Sequence, residues 1–195
     1  FILSPSIISD IYDSGVSTFS IPDEVTDILE LISADWLKFV KEPVAFKKLF
    51  VVGHERGWVG RNGEAKKDDE GHHDIKEFFH FHADFMKRFN RKSHQAGKKY
   101  HSLFQNLATL HKFCLSTSLE IAGQFDRRFI GRNLVSKMRE STSNFEHVVR
   151  LLYYPARPLA SKDKEKKDGF AEAHFDRDLF TFSLLENLPG LRWAP

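Results

Sequence analysis

The longest periodic stretch of the sequence runs from Tyr100 to Ala122. Its apolar residues recur every three or four positions, with polar residues between them: Tyr100, Leu103, Phe104, Leu107, Leu110, Cys114 and Leu119. This spacing places them all on one side of an α-helix. A helix with one apolar side has to bury that side, so the rest of the chain must supply a core against which it packs.

Two further helices are predicted from the same periodicity. Pro22, Asp23 and Glu24 are typical of a helix start, and apolar residues then recur at helical spacing from Val25 to Val40 before Pro43 ends the pattern. A shorter helix is predicted over Asn133 to Ser141. The segments Phe1–Ser20 and Phe85–Lys99 lack a clear period, and we predict an extended segment with turns and a solvated basic connection, respectively.

Strands are predicted where aromatic and β-branched residues concentrate. The candidates are Leu49–Val52, Asp74–His82, His147–Tyr154, which ends at Pro155, Gly169–His174 and Leu179–Leu185. The charged segments 53–71 and 161–169 are predicted to be loops. The sequence therefore predicts an α+β fold, with a mainly helical region over residues 1–145 and a β region over residues 146–195.

The composition bounds the class of protein. A chain of 195 residues can bury one sizeable core, and its net charge of +2 is too small to indicate a nucleic-acid or anionic membrane partner. No apolar run approaches the roughly 20 residues that cross a bilayer. Cys114, the only cysteine, cannot form an internal disulfide, and we expect it to be a buried, unreactive residue. A cytoplasmic location is the default expectation.

Ten histidines are many for a chain of this length, which raises the question of metal sites. His72 and His73 are adjacent, point apart in any regular structure, and are predicted to lie in a polar loop. His80 and His82 could share a strand face, but no carboxylate stands at a useful spacing and the phenylalanines around them favour packing.

His174 and Asp176 form a different kind of pair. Residues two apart in a strand point to the same face, so an imidazole and a carboxylate would project side by side. They are two of the three groups of a 2-His-1-carboxylate iron site. Alone, a His-x-Asp pair is a weak signal that is more often structural.

The motifs around this pair resemble those of a known family. RLLYYP (150–155), a charged spacer and AHFDRDLFTFSLLENLPGL (173–191) follow one another as in the iron(II)- and 2-oxoglutarate-dependent dioxygenases of the isopenicillin-N-synthase-like group. The earlier runs ERGWVGRNGE (55–64) and DIKEFFHF (74–81) are similar to that family's N-terminal region. The resemblance covers roughly Phe46 to Trp193. It implies a double-stranded β-helix, or jelly-roll, buttressed by N-terminal helices and only partly contained in these residues.

The resemblance also implies a site and a reaction. His174 and Asp176 would be iron(II) ligands, Tyr154 would contact the cosubstrate or substrate, and 2-oxoglutarate and dioxygen would serve the oxidation of a small organic substrate. The family's second histidine ligand and its Arg-x-Ser pair do not occur after Asp176, and Leu152 stands where several plant members have Asn. We expect the natural chain to continue past Pro195 and supply them.

Two alternatives remain open from the sequence. One is a family member that does not use 2-oxoglutarate. The other is a catalytically inert interaction module, in which the strand edge of an open barrel would pair with another chain.

Overall fold

The computed structural model describes residues 3–4, 6–53, 56–60, 76–89, 94–143, 146–155 and 178–186. Within these residues the chain combines helices with one antiparallel sheet, which confirms the α+β class. The elements, in chain order, are α1 (Ser6–Ser14), α2 (Asp23–Phe39), α3 (Val44–Lys47), a 3-10 turn (Lys48–Phe50), β1 (Val51–Gly53), β2 (Arg56–Val59), β3 (Glu77–His82), α4 (Phe85–Phe89), α5 (His94–Lys99), α6 (His101–Arg128), α7 (Leu134–Ser143) and β4 (Val148–Tyr153).

The sheet has four strands in the order β1-β2-β3-β4, and every neighbouring pair is antiparallel. Trp58 of β2 and Leu151 of β4 both stand opposite Phe79 of β3. The first five residues of β3 are all buried, so both faces of this strand are covered. One face of the sheet packs against α2 and α6, and β4 joins the sheet although it lies more than sixty positions after β3 in the sequence.

Aromatic rings fill the space between the helices and the sheet. Phe39 of α2 contacts Phe50, Phe79 and Tyr100 at ring-centre distances of 5.1, 5.8 and 5.1 Å, respectively. Phe104 of α6 reaches Phe50 at 5.7 Å and is fully buried. Each such ring pair adds about 0.5–1.5 kcal/mol beyond the burial of its area. The cluster therefore fixes α2 and α6 against the same side of the sheet.

The long periodic segments were predicted correctly. The helix from Asp23 begins after Pro22 and ends at Phe39, and the helix predicted to begin at Tyr100 continues to Arg128. The predicted helix near Asn133 and the strands near Asp74–His82 and His147–Tyr154 are α7, β3 and β4. Among the described residues, no helix is both long enough and apolar enough to cross a membrane.

The prediction of an extended segment over Phe1–Ser20 was wrong, because Ser6–Ser14 is a helix. Ile7 and Ile8 are buried, and they pack in a second small cluster with Ile121 of α6. Gly15 directly follows α1 with φ of 76°, a conformation that glycine adopts without strain. Burial against α6 thus stabilises a helix whose own sequence signal is short.

The segment Phe85–Lys99 is not a solvated connection throughout. It contains α4 and α5, and Phe85 and Phe89, four residues apart on α4, are both buried in the aromatic cluster. The predicted loop after Gly53 likewise contains a strand, β2, whose Trp58 is buried. At Gly57 a Cβ atom would lie 1.9 Å from the Phe50 carbonyl oxygen, so the hairpin accepts only glycine there.

The prediction of a strand over Leu179–Leu185 was also wrong, since the described residues 178–186 carry no strand. The predicted alternation of burial is nevertheless present: Phe180, Phe182 and Leu184 are half-buried and the residues between them are exposed. Phe182 lies edge-on to Phe19 at 6.0 Å, and Leu184 packs on the main core. The segment packs through its apolar side without strand pairing. The predicted strand Gly169–His174 lies outside the described residues.

Replacing Phe104 with alanine should lower the free energy of unfolding by about 3–5 kcal/mol, because it opens a cavity at the centre of the aromatic cluster. Leu37→Ala on the exposed side of α2 is the matched control and should change stability by no more than about 0.5 kcal/mol. Urea unfolding followed by circular dichroism measures both. Equal losses in the two variants would contradict this account of the core.

Candidate functional site

The predicted iron ligands, His174 and Asp176, lie outside the described residues. Tyr154, the predicted cosubstrate contact, is described. It is half-buried and directly follows the last residue of β4. Among the described residues, no group of three or more histidine, cysteine, aspartate or glutamate side chains could hold a metal ion. The site is therefore built from β4 and its surroundings.

The two sides of β4 have different environments. Val149, Leu151 and Tyr153 pack on the aromatic cluster, whereas Val148, Arg150 and Leu152 alternate with them, point to the opposite side and are exposed. The side chains opposite Arg150 and Leu152 on β3 are His80 and Phe78. We call this side of the sheet the open face; its exposed members are Val148, Arg150 and Leu152 of β4, whereas its β3 members, Phe78 and His80, are buried. Continuing the alternation by one residue would bring Tyr154 to the open face as well.

Arg150 is fixed on the open face by two contacts with β3. Its Nε donates a hydrogen bond to Nε2 of His80 over 2.6 Å, and its guanidinium carbon lies 5.4 Å from the ring centre of Phe78. Because Nε of arginine always carries its proton, His80 accepts through Nε2 and is the tautomer protonated on Nδ1. In the part of the chain that the structure describes, no carboxylate forms an ion pair with Arg150.

Both ends of β4 are tied to the helices by side-chain hydrogen bonds. The indole nitrogen of Trp36 donates to the Leu152 carbonyl over 3.1 Å, and Nε2 of His111 lies 3.3 Å from the His147 carbonyl, which precedes the strand. Nε2 of His147 in turn lies 3.3 Å from the Met138 carbonyl of α7. These bonds hold the edge of β4 against α2, α6 and α7. Burial lowers the pKa of His111, which keeps it neutral.

A buried ion pair lies on the opposite, helix-covered side of the sheet. Nζ of Lys47 is 2.7 Å from Oε2 of Glu77 and also donates to the Val40 carbonyl, and the Trp58 indole donates to the same Oε2 over 3.0 Å. Lys47 and Glu77 are 5% and 3% exposed. The pair ties α3 to β2 and β3. Its burial on the core side separates it from the open face, so we assign it a structural role.

Asp84 forms a second carboxylate cluster just after β3. It accepts hydrogen bonds from Arg88 of α4 and, over 2.8 Å, from Arg56 of β2. Burial alone would raise the pKa of Asp84, but the bond from Arg88 and the charge of Arg56 outweigh it and lower that pKa. Both arginines of this cluster thus pair with the one Asp84 carboxylate, and the cluster connects β2 to the start of α4.

His80 and His82 were predicted to be packing residues, and Arg150 was not predicted to have a role. His80 is buried as expected, and its ring lies 6.3 Å from that of His82. The signal for Arg150 was present in the strand RLLYY, where one charged residue alternates with core residues. Cys114 is half-buried against the aromatic cluster, and burial raises its pKa to about 11, so the prediction that it is unreactive agrees with its setting.

A scan against the models of known protein families, a search of the curated proteins and a search of the solved structures each found no match. The functional argument therefore depends on the motifs of this chain and on the geometry around β4.

Lys47→Met should lower the free energy of unfolding by about 3–5 kcal/mol, because it leaves the Glu77 carboxylate buried without its cation. The double variant Lys47→Met with Glu77→Leu should lose less than the sum of the two single variants, since removing both charges removes the penalty for an unpaired one. Urea unfolding of the four proteins measures the coupling. Additive losses would show that the two charges do not interact.

Stability should also depend on pH through His111. Its folded pKa is below the ordinary 6.5, so above that pH the ring is neutral in both states and stability is complete. As the pH falls below 6.5 the unfolded chain takes up the proton first, and the free energy of unfolding decreases until the folded pKa is reached. The loss is at most about 1.4 kcal/mol for each unit by which the pKa is lowered.

The measurement compares urea unfolding of the wild type with His111→Gln, whose side-chain amide can still donate to the His147 carbonyl and does not titrate. The wild type should lose more stability than the variant between about pH 7 and about pH 5. The same loss in both proteins would assign the pH dependence to other groups.

Proposed function

We propose that the protein is an iron(II)- and 2-oxoglutarate-dependent dioxygenase that oxidises a small organic substrate by hydroxylation, desaturation or ring closure. The observation that carries the proposal is the setting of RLLYYP. This run contains the last four residues of β4 and continues to Tyr154-Pro155, with helices on one side of the strand and exposed side chains on the other. The His174-x-Asp176 pair and the Pro189-Gly190-Leu191 turn then follow in the order that the resemblance requires.

The proposed catalytic domain is a jelly-roll of which β4 is an early strand. A jelly-roll has two sheets packed face to face. The helix-covered side of the present sheet is already filled with aromatic rings, so the open face is the side on which a second sheet would close. Arg150, Leu152 and the following Tyr154 would then line the interior of the barrel, where the family has its reaction site.

The donor set of His174 and Asp176 suits iron(II), which binds imidazole nitrogen and carboxylate oxygen. These two residues would hold the metal as two members of a 2-His-1-carboxylate set. Bound iron supplies the activation of dioxygen with 2-oxoglutarate as cosubstrate. The part of this chain is to orient the ligands and exclude water. Leu152 provides exposed apolar surface for that purpose, and the Tyr154 hydroxyl would donate a hydrogen bond to a carboxylate.

The experiment uses the full natural chain without oxygen. Adding iron(II) and 2-oxoglutarate should produce a visible charge-transfer band, and the band should be absent in His174→Ala and in Asp176→Ala because each variant removes a ligand. His72→Ala, at a histidine predicted to lie in a loop, is the matched control and should keep the band. Anaerobic absorption spectroscopy measures all four proteins.

Persistence of the band in both ligand variants would show that other residues hold the iron. Iron binding without a band on adding 2-oxoglutarate would support the alternative that the protein does not use this cosubstrate. Failure to bind iron at all would support the inert interaction module. Tyr154→Phe should keep the band but need roughly 2- to 10-fold more 2-oxoglutarate, as expected for the loss of one hydrogen bond.

A further inference from the structure

The charge of Arg150 is not balanced by a carboxylate of the described residues, a setting that it shares with Arg128, which donates to the Ser9 hydroxyl, and that differs from that of three other described arginines. Arg56, Arg88 and Arg127 each form an ion pair with a carboxylate. Arg150 instead donates to a neutral imidazole, and within the described ranges no carboxylate balances its charge. An isolated cation on a strand is expected to attract an anion, because the exposed guanidinium has not been neutralised by the fold.

The orientation of the Arg150 guanidinium is set before any ligand binds. His80, only 5% exposed, accepts from Nε, and Phe78 lies beneath the guanidinium plane. His80 and Phe78 are themselves in contact, with ring centres 4.6 Å apart. Arginine has five N–H donors, and the bond to His80 uses only the one on Nε. The two terminal nitrogens retain the fork that matches the two oxygens of a carboxylate.

The surroundings of Arg150 on the open face are apolar. Val148 and Leu152, two positions before and after it on the same strand face, are 37% and 42% exposed. A ligand that fits this surface has one anionic end for Arg150 and an apolar body that covers the neighbouring side chains. A fully polar anion would leave Val148 and Leu152 in water, and a neutral apolar molecule would leave the arginine without its partner.

We infer that Arg150 selects the substrate of the proposed enzyme, and that this substrate is an organic acid whose carboxylate binds the Arg150 fork while its apolar body lies on Leu152 and Val148. The inference rests on the proposed function, because it names the substrate class of that same site. Arg150 is a binding residue in this account, and His80 is a positioning residue that acts through it.

The test is a binding titration of the full chain without iron, so that its outcome does not depend on catalysis. The probes are benzoate, 3-phenylpropanoate and octanoate, with 3-phenylpropanamide as the uncharged counterpart and 2-oxoglutarate as a polar dicarboxylate. Nitrogen-15 NMR follows the Nε–H signal of Arg150, which is identified by its absence in Arg150→Lys. At least one apolar acid should shift this signal saturably, and the amide should bind more weakly.

Arg150→Gln should weaken the binding of that acid by about tenfold or more, the size expected for a charge-assisted hydrogen bond. Arg150→Lys keeps the charge without the fork. It should bind the acid more weakly than the wild type and more tightly than Arg150→Gln. Arg139→Gln, which removes an exposed arginine of α7, is the matched control and should bind like the wild type. His80→Phe keeps Arg150 but removes its acceptor, and should weaken binding and speed the exchange of the Nε proton.

Two results would overturn the inference. One is that no apolar acid binds saturably, or that the acid binds Arg150→Gln as tightly as the wild type. The other is that 2-oxoglutarate is the acid whose binding depends on Arg150, which would assign the residue to the cosubstrate. If the charge-transfer band forms in the wild type despite either result, the dioxygenase proposal stands and only the substrate class is wrong. If an apolar acid binds through Arg150 but no band forms, the acid-binding site stands and the dioxygenase proposal is wrong.

Discussion

The rest of the structure depends on β3 being buried on both faces. Two of its buried residues, Glu77 and His80, are polar, and a buried polar group is destabilising unless it has a hydrogen-bond partner. Glu77 finds Lys47 and Trp58 on the helix-covered side, and His80 finds Arg150 on the open face. The hydrogen bonds that these two groups of β3 need therefore fix the positions of Lys47 in α3, Trp58 in β2 and Arg150 in β4. The same requirement brings a guanidinium to the open face.

The register of β4 is set twice, by its apolar pattern and by this polar pair. A shift of one residue would turn Arg150 into the aromatic cluster and expose Leu151 and Tyr153. The bonds from Trp36 and His111 to backbone carbonyls at the two ends of the strand oppose such a shift. The packing of the core therefore fixes β4 as far as its last residues.

The sequence was sufficient for the elements whose signal is local. α2, α6, β3 and β4 have long or strongly aromatic patterns, and each lies where those patterns predicted. The helix α1 and the strand β2 were missed because a few isoleucines, or one glycine and one tryptophan, become informative only once their partners on α6 and β3 are known. The Leu179–Leu185 segment shows the same limit of local sequence, here for an element that was predicted but did not form. Its alternating burial was predictable, whereas a strand also needs a neighbour, which local sequence does not specify.

The residues of the candidate site also include some that local sequence predicts and some that it does not. His174, Asp176 and Tyr154 were predicted from motifs, which need only order along the chain. The pairing of Arg150 with His80 depends on the register between strands that are seventy positions apart in sequence, so no local pattern contains it.

The two faces of β4 differ in how well they tolerate substitution. Alternate residues of β4 serve different ends: Val149, Leu151 and Tyr153 stabilise the core, and Val148, Arg150 and Leu152 face whatever binds the open face. Because Val148 and Leu152 are not packed in the aromatic cluster, they can be replaced with little loss of stability, whereas Arg150 also serves the buried His80. A single strand thus keeps its place through one side while the other side determines the ligand, which is how one fold can serve many substrates.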